Sequence, residues 1–164
     1  MKLHSVLVAG VVLASAPAQA SNELIILTQY ELSNSLMLDV NGSFSAVSVL
    51  QAHNGLGAAN VIDVNINGDF NGGPLGAPFT GSAPSVGLTP GSIIQSGFDN
   101  HITASVTGSH NLFAFAQEGS GNRLTASISG ITNHAAVSQT GLNNVVGFSQ
   151  SGIDNMISIS QTSW

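Results

Sequence analysis

The chain has 164 residues, of which 43% are hydrophobic and 6% are charged, and it contains no cysteine. The chain has two basic and eight acidic residues, so its net charge is negative, and nucleic acid and anionic lipid surfaces are poor partners for this protein. The lack of cysteine excludes a disulfide framework and a thiolate metal site.

The start of the chain has the pattern of a secretory signal peptide. A basic Met1–Lys2 and a run of small and apolar residues precede Ala-Gln-Ala at residues 18–20, which is typical of a signal-peptidase site. The apolar run is too short for a membrane-spanning helix. We therefore predict a signal peptide at residues 1–20, cleavage after Ala20, and export of the remaining chain.

Residues 21–71 show an irregular version of a repeat that becomes strict further along. Gln29 and Asn34 have the spacing of that repeat, and Gln51 keeps its period of eleven. Residues 52–60 run longer than the period allows before the pattern resumes. This block is predicted to contain strands joined by turns of unequal length.

Residues 72–91 interrupt the pattern and are rich in glycine and proline. Proline has no backbone N–H to offer a central strand, so regular pairing is not expected here. The segment is either an insertion or linker between two stacks of repeats, or a longer decorated turn. Its prolines are Pro74, Pro78, Pro84 and Pro90.

From residue 92 to residue 164 the chain repeats every eleven residues, and six consecutive matches at one spacing are typical of a repeat architecture. The unit reads Gln-x-Gly-x-x-Asn followed by five residues. Its glycines are Gly97, Gly108, Gly119, Gly130, Gly141 and Gly152, and its asparagines are Asn100, Asn111, Asn122, Asn133, Asn144 and Asn155. Its glutamines are Gln95, Gln117, Gln139, Gln150 and Gln161, with Val106 and Ile128 at the two remaining positions.

Between each Asn and the next Gln position, apolar and polar residues alternate. After Asn111, for example, Phe113 and Phe115 are separated by Ala114. A period of two predicts a half-buried strand, and the same parity points the Gln and Asn positions inward. We expect the Gln-x-Gly-x-x-Asn segment to form the turn, with Gly and Asn in left-handed backbone.

Since Gln occupies alternate units, two units form one rung of 22 residues. The predicted fold is therefore all-β: a two-sheet β-solenoid of strand-turn-strand rungs built from 11-residue half-repeats, with a cross-β arrangement on assembly. Stacked in register, the inward amides would form ladders along the stack. An unpaired buried amide costs about 1–3 kcal/mol, so the pattern makes sense only if rungs stack.

The repeat resembles that of the curlin family, the subunits of bacterial curli fibres. Ser-Ile-Ile-Gln-Ser-Gly-Phe-Asp-Asn at residues 92–100 looks like the family's Ser-x5-Gln-x-Gly-x-x-Asn core, and residues 115–122 and 137–144 are similar. The likeness is close over residues 92–161 and looser over residues 24–71.

Membership of this family implies a structural subunit of an extracellular, cell-surface amyloid fibre that supports adhesion and biofilm. It implies passage through the periplasm and an outer-membrane pore, self-association into a homopolymer, and a second, nucleating curlin-type subunit as partner. The acidic balance is more similar to the major subunit than to the minor one.

The last rung suggests how such a fibre would grow. Residues 134–161 carry Gln139, Gln150 and Gln161, no proline, and Asp154 as their only charge. Natural β proteins protect edge strands, because bare N–H and C=O groups recruit other chains. We therefore interpret this edge as the functional one, which an incoming chain would extend by pairing with it.

The remaining residues favour neither catalysis nor a cofactor. His101 and His134 fall on strands of opposite parity, so no metal site is expected. No Gly-x-Ser-x-Gly motif occurs, and the protein is not expected to be an enzyme. The alternative function is that of a monomeric secreted β-solenoid that binds ice or a surface ligand through outward hydroxyls. The outward pairs are Thr103/Ser105 and Thr125/Ser127, and Gly147 breaks their array.

Overall fold

The computed structural model describes residues 11–13, 23–29, 34–53, 57–73, 79 and 88–164. These residues form twelve strands and no helix, so none of them belongs to a helix that could cross a membrane. The strands are β1 (Val11–Leu13), β2 (Glu23–Gln29), β3 (Ser35–Asn41), β4 (Ala46–His53), β5 (Val61–Asn67), β6 (Ser92–Phe98), β7 (His101–Ser109), β8 (Leu112–Ser120), β9 (Arg123–Ile131), β10 (His134–Leu142), β11 (Val145–Ile153) and β12 (Met156–Thr162).

The strands form two parallel sheets of six. The odd sheet has the order β1-β3-β5-β7-β9-β11, and the even sheet has the order β12-β10-β8-β6-β4-β2. Consecutive strands therefore lie in opposite sheets. This explains how parallel pairing coexists with tight turns, because a parallel pair within one sheet would need a long crossover.

Each rung sits directly on the rung before it. In the odd sheet Leu124 pairs with Ile102 on one side and with Val146 on the other, so the pairing partners are 22 residues apart. The same spacing joins Gln95, Gln117 and Gln139 in the even sheet. The predicted two-sheet β-solenoid with 22-residue rungs is confirmed.

The hydrophobic core fills the space between the two sheets. Inward side chains such as Ile102 and Leu124 from the odd sheet, and Phe113 and Phe115 from the even sheet, belong to one continuous buried cluster. Outward neighbours such as Thr125 are exposed. The period of two in the sequence thus separates a core face from a solvent face in every strand.

The turns differ from the expectation in two ways. Strands β7 to β11 each run nine residues and include the Gln-x-Gly segment, so only two residues separate successive strands. The glycines have positive φ, as expected, but the ladder asparagines do not. In the regular repeats the residue before the Asn is left-handed instead, for example Asp99 (φ 56°) and His110 (φ 57°). The asparagine is free to point inward because its neighbour makes the bend.

The blocks before residue 72 and after residue 91 share the same two sheets. Strand β4 pairs with β6, and β5 pairs with β7. The segment between β5 and β6 therefore connects two rungs of one continuous stack. Its Phe79 packs on the outer face of the even sheet, against Ala114 and Ala136.

At the N-terminal end the register is shifted from the expected one. The residue paired with Gln51 is Thr28, and Gln29 pairs with Ala52. Strand β1 pairs with β3, from Val11↔Leu38 to Leu13↔Val40. The rest of the predicted signal peptide, including the cleavage site after Ala20, lies outside the described residues.

If the inward positions carry the stability, truncating one of them should be far more costly than truncating its outward neighbour. We expect Leu124→Ala to lower the free energy of unfolding by about 2–5 kcal/mol, since Leu124 is buried in the continuous core. The matched control Thr125→Ala should stay within about 0.5 kcal/mol of the parent chain. Urea unfolding at low protein concentration measures both, and equal losses would contradict the assigned faces.

Candidate functional site

A ladder of glutamine side chains runs along the inside of the even sheet. Each Nε2 donates to the Oε1 of the glutamine one rung further on, at distances of 3.0, 2.8, 2.8 and 3.1 Å. The ladder has a direction, because every donor points towards the C-terminal end of the stack. Its members are Gln51, Gln95, Gln117, Gln139 and Gln161.

The same glutamines tie the two sheets together. Besides its partner in the ladder, Gln117 Nε2 donates to the carbonyl oxygen of His101, the first residue of β7, at 3.1 Å. Gln139 makes the equivalent bond to Arg123 of β9, also at 3.1 Å. Each buried amide therefore satisfies its hydrogen-bonding groups partly within its own sheet and partly across the core.

Two further ladders consist of asparagines, one at each corner of the solenoid. In both, the Oδ1 of one Asn accepts the backbone N–H and the side-chain Nδ2–H of the Asn in the next rung, at 2.9–3.2 Å. The first ladder is Asn60, Asn100, Asn122 and Asn144, and the second is Asn71, Asn111, Asn133 and Asn155.

Three ladder residues come from the irregular N-terminal block and were not among the predicted site residues. Gln51 begins the glutamine ladder, and Asn60 and Asn71 begin the two asparagine ladders. Asn60 is separated from Gln51 by the longer turn that obscures the repeat. The signal that identifies it is its place directly before a strand of alternating residues, as Asn100 directly precedes β7.

Gln150 is the exception among the predicted glutamines. It belongs to the odd sheet, where the positions before it in register are Val40, Ile66, Val106 and Ile128. Its side chain is 4% exposed and its Nε2 donates to the His134 carbonyl oxygen at 3.3 Å, while its Oε1 has no hydrogen-bond partner. Ile128 stands where a preceding glutamine would donate. A buried unpaired acceptor costs about 1–3 kcal/mol.

The C-terminal end of the stack is open in this structure. Strands β11 and β12 are the last in their sheets and pair on one side only. Inward residues of β12, Ile157 and Ile159, are only half-buried, whereas Ile102 and Leu124 in earlier rungs are fully buried. These apolar groups, the backbone of both strands and the last members of the ladders all face the position of a further rung.

The space around the repeat glycines shows how closely neighbouring rungs approach one another. A Cβ at Gly130 would lie 1.9 Å from the carbonyl oxygen of Gly152, the glycine of the next rung. At Gly152 itself the nearest atom to such a Cβ is the Nδ2 of Asn155, at 3.1 Å. The two glycines have nearly the same φ, 123° and 120°. They differ in whether a rung covers them.

The outward face of the odd sheet carries hydroxyl columns of unequal length, of which Ser105, Ser127 and Ser149 form one that runs through three rungs. Thr103 pairs with Thr125, and Thr125 pairs with Gly147, so the outward threonine column ends after two rungs. His101 contacts the hydroxyl of Thr103 at 3.1 Å. Within the described ranges, no three His, Asp or Glu side chains group closely enough to hold a metal ion.

Comparison with known proteins identifies the repeat at the C-terminal end. Residues 130–162, which include the last complete rung and the open edge, match the family model of the curlin associated repeat. No curated protein and no solved structure matches the chain.

The glutamine ladder leads to a test of its contribution to stability. We expect Gln117→Leu to lower the free energy of unfolding by about 2–5 kcal/mol, because Gln95 Nε2 and Gln139 Oε1 each lose a buried partner at about 1–3 kcal/mol. The matched control is Ile128→Leu in the facing sheet, which conserves volume and should cost less than about 1.5 kcal/mol. Urea unfolding compares them. A Gln117→Leu chain as stable as the control would show that the amides do not hold the rungs together.

Proposed function

We propose that the chain is a member of the curlin family and a structural subunit of a secreted amyloid fibre of the curli type, since residues 130–162 match the curlin associated repeat. The observation that carries the proposal is the set of in-register amide ladders that end at an open edge. In β12 the inward side chains of Ile157 and Ile159 are only half-buried, and a further rung would cover them.

Growth would proceed by the addition of a folding chain to β11 and β12. The incoming strands would take up the free backbone groups of both edges and cover Ile157 and Ile159. An asparagine before each incoming strand would donate its backbone N–H and Nδ2–H to the Oδ1 atoms of Asn144 and Asn155, as every Asn in the ladders does to the one before it. The first residue of this chain available for that role at the Asn144 corner is Asn34, which occupies the ladder position before Ser35.

Templating follows from the energetics of one rung. Ordering a residue costs roughly 1–2 kcal/mol of backbone entropy, so a single 22-residue rung has no stability of its own. On a preformed edge, the same rung gains strand pairing, ladder hydrogen bonds and burial of its apolar side chains at once. The proposal therefore includes a slow nucleus and fast elongation, with rungs about 4.7–4.9 Å apart along the fibre.

The wider setting is part of the same proposal. We place the protein outside the cell, exported by its N-terminal signal peptide and an outer-membrane pore, with a nucleating curlin-type subunit as partner and adhesion and biofilm support as its role. We assign it no catalytic activity. In the part of the chain that the structure describes, most buried polar side chains of the regular repeats are engaged in ladders, with Gln150 and Ser92 as the exceptions.

Assembly kinetics test the proposal directly. The chain from Ser21 onward, at micromolar concentration, should form dye-binding fibres after a lag, and pre-formed fibres should remove that lag. Fibre diffraction should show the roughly 4.7–4.9 Å repeat along the axis. A protein that stays monomeric for days would overturn the proposal and favour the alternative of a solenoid that binds ice or a surface ligand.

Substitution of a single glycine should block fibre growth without preventing the chain from folding. Gly152→Ala and Gly130→Ala carry the same backbone strain, about 1–3 kcal/mol, but only Gly130→Ala forces a methyl group against a carbonyl oxygen within the chain. We expect Gly152→Ala to fold and Gly130→Ala to fold poorly, by circular dichroism.

In a growing fibre, the methyl group of Gly152→Ala would meet the carbonyl oxygen of the next rung, as at every covered glycine. The variant should therefore add to fibre ends and block them, so that small amounts slow the growth of the parent chain. Seeded growth at a one-to-twenty ratio measures the effect. If Gly152→Ala elongates like the parent chain, the edge formed by β11 and β12 is not the growing one.

A further inference from the structure

The inward positions that pair in register form one column in each sheet: the glutamine ladder in the even sheet, and the positions of Val106, Ile128 and Gln150 in the odd sheet. The two ends of these columns carry different residues. At the C-terminal end both columns present an amide, Gln161 in the even sheet and Gln150 in the odd sheet. At the N-terminal end the register places Thr28 in the even column, next to Gln51, and Val40 in the odd column, next to Ile66. Leu13 of β1 pairs with Val40 and belongs to the predicted signal peptide, so Val40 is the first odd-column residue of the chain from Ser21 onward. The first and last rungs of this chain are therefore not chemically equivalent.

The amide of Gln150 is poorly satisfied inside the chain. Its Oε1 is buried without a partner, and the isoleucine before it in the column offers no donor. An aliphatic residue at position 150 would continue the column of Val106 and Ile128 with no such penalty. By the direction of the even-sheet ladder, the Oε1 of Gln150 is the acceptor for the preceding rung and its Nε2 is the donor for the next rung. A further rung can therefore add a ladder bond at Nε2, while Oε1 stays unpaired.

Another copy of this chain would not supply a glutamine Oε1 acceptor in either column. If a second copy continued both sheets in register, Thr28 would follow Gln161 and Val40 would follow Gln150. Neither valine nor threonine has a side-chain amide. The asparagine ladder can continue through Asn34, but both glutamine columns would end at the junction.

We propose that the face formed by β11 and β12 binds, in preference to the first rung of another copy, a rung with glutamine in both columns that belongs to a different repeat protein. This inference rests on the proposed function and specifies the chemistry of the partner. In the partner rung, an Oε1 in each column accepts from the Nε2 of Gln161 and of Gln150. A copy of this chain also adds to the face, with fewer ladder bonds and a faster release.

The experiment uses the chain from Ser21 onward, held on a surface through an N-terminal tag so that the C-terminal face is free. The probes are two synthetic peptides of residues 133–155, one with the native sequence, which has glutamine in both columns, and one with Gln150→Ile. Binding is measured at concentrations where neither peptide scatters light on its own. We expect the native peptide to bind about tenfold more tightly, the effect of one buried amide pair.

The matched control is the immobilised chain with Gln150→Ile. It should fold and unfold at a higher temperature than the parent chain, because the unpaired acceptor is gone. On it, the preference for the native peptide should fall to no more than twofold, so that the four affinities isolate the contact between the two glutamines.

Equal binding of both peptides to the parent chain, failure of both to bind, or a tenfold preference that persists on the Gln150→Ile chain would each overturn the inference. Seeded fibre growth keeps this result separate from the proposed function. If fibres form but neither peptide is preferred, only the partner assignment is refuted. If the chain prefers the native peptide but never forms fibres, the partner assignment is supported and the fibre role is refuted.

Discussion

A buried amide has to find hydrogen-bond partners, and in this chain its partners lie one rung away. Asn100, Asn122 and Gln117 are almost fully buried in a core of aliphatic and aromatic side chains. Water cannot reach them, so each would cost about 1–3 kcal/mol if left unpaired. The ladders meet this demand only when identical residues recur in register, at 22 residues in the regular repeats and at 40 or 44 residues where the longer connections intervene. The period of the sequence, the parallel pairing and the flat stacking of the rungs are all consequences of that requirement.

The turn obeys a second constraint, which is steric. Each rung glycine from Gly97 to Gly141 lies under a carbonyl oxygen of the next rung, with no room for a methyl group. The residue before each Asn of the regular repeats then has positive φ, and side chains at such corner positions also stack. The rings of Phe44 and Phe70 are 4.9 Å apart, and those of Phe70 and His110 are 4.8 Å apart, close to the spacing of paired strands. Register is thus maintained at the corners as well as in the core.

These two constraints explain which features could be predicted from the sequence. The strict glycine and asparagine spacing from residue 92 onward was sufficient for the two-sheet solenoid and for the inward direction of Gln117 and Gln139. The shift at β2 was not predictable, because Gln29 keeps the apparent spacing while backbone pairing aligns Thr28 with Gln51. Left-handed backbone was expected at Asn, since Asn tolerates it well. The ladder overrides that preference by holding the side chain inward, and the neighbouring residue carries the strain.

The two ends of the stack follow from the same chemistry, and they explain why growth should have a direction. Near the N-terminal end, the position below Asn71 holds Ser45, whose hydroxyl accepts the backbone N–H of Asn71 at 3.2 Å. Ser45 thus replaces the amide that every later rung of that ladder uses, and a short side chain terminates the ladder. At the C-terminal end, Asn144 and Asn155 keep full-length amides with no rung above them in this structure. The ladder from Asn71 to Asn155 has a hydroxyl group at one end and the Oδ1 of Asn155 at the other, so its first end is suited to begin a stack and its second end is suited to extend it. Because the glutamine donors also point towards the second end, an arriving rung there meets donors and acceptors already in place, whereas at the first end it would have to supply them.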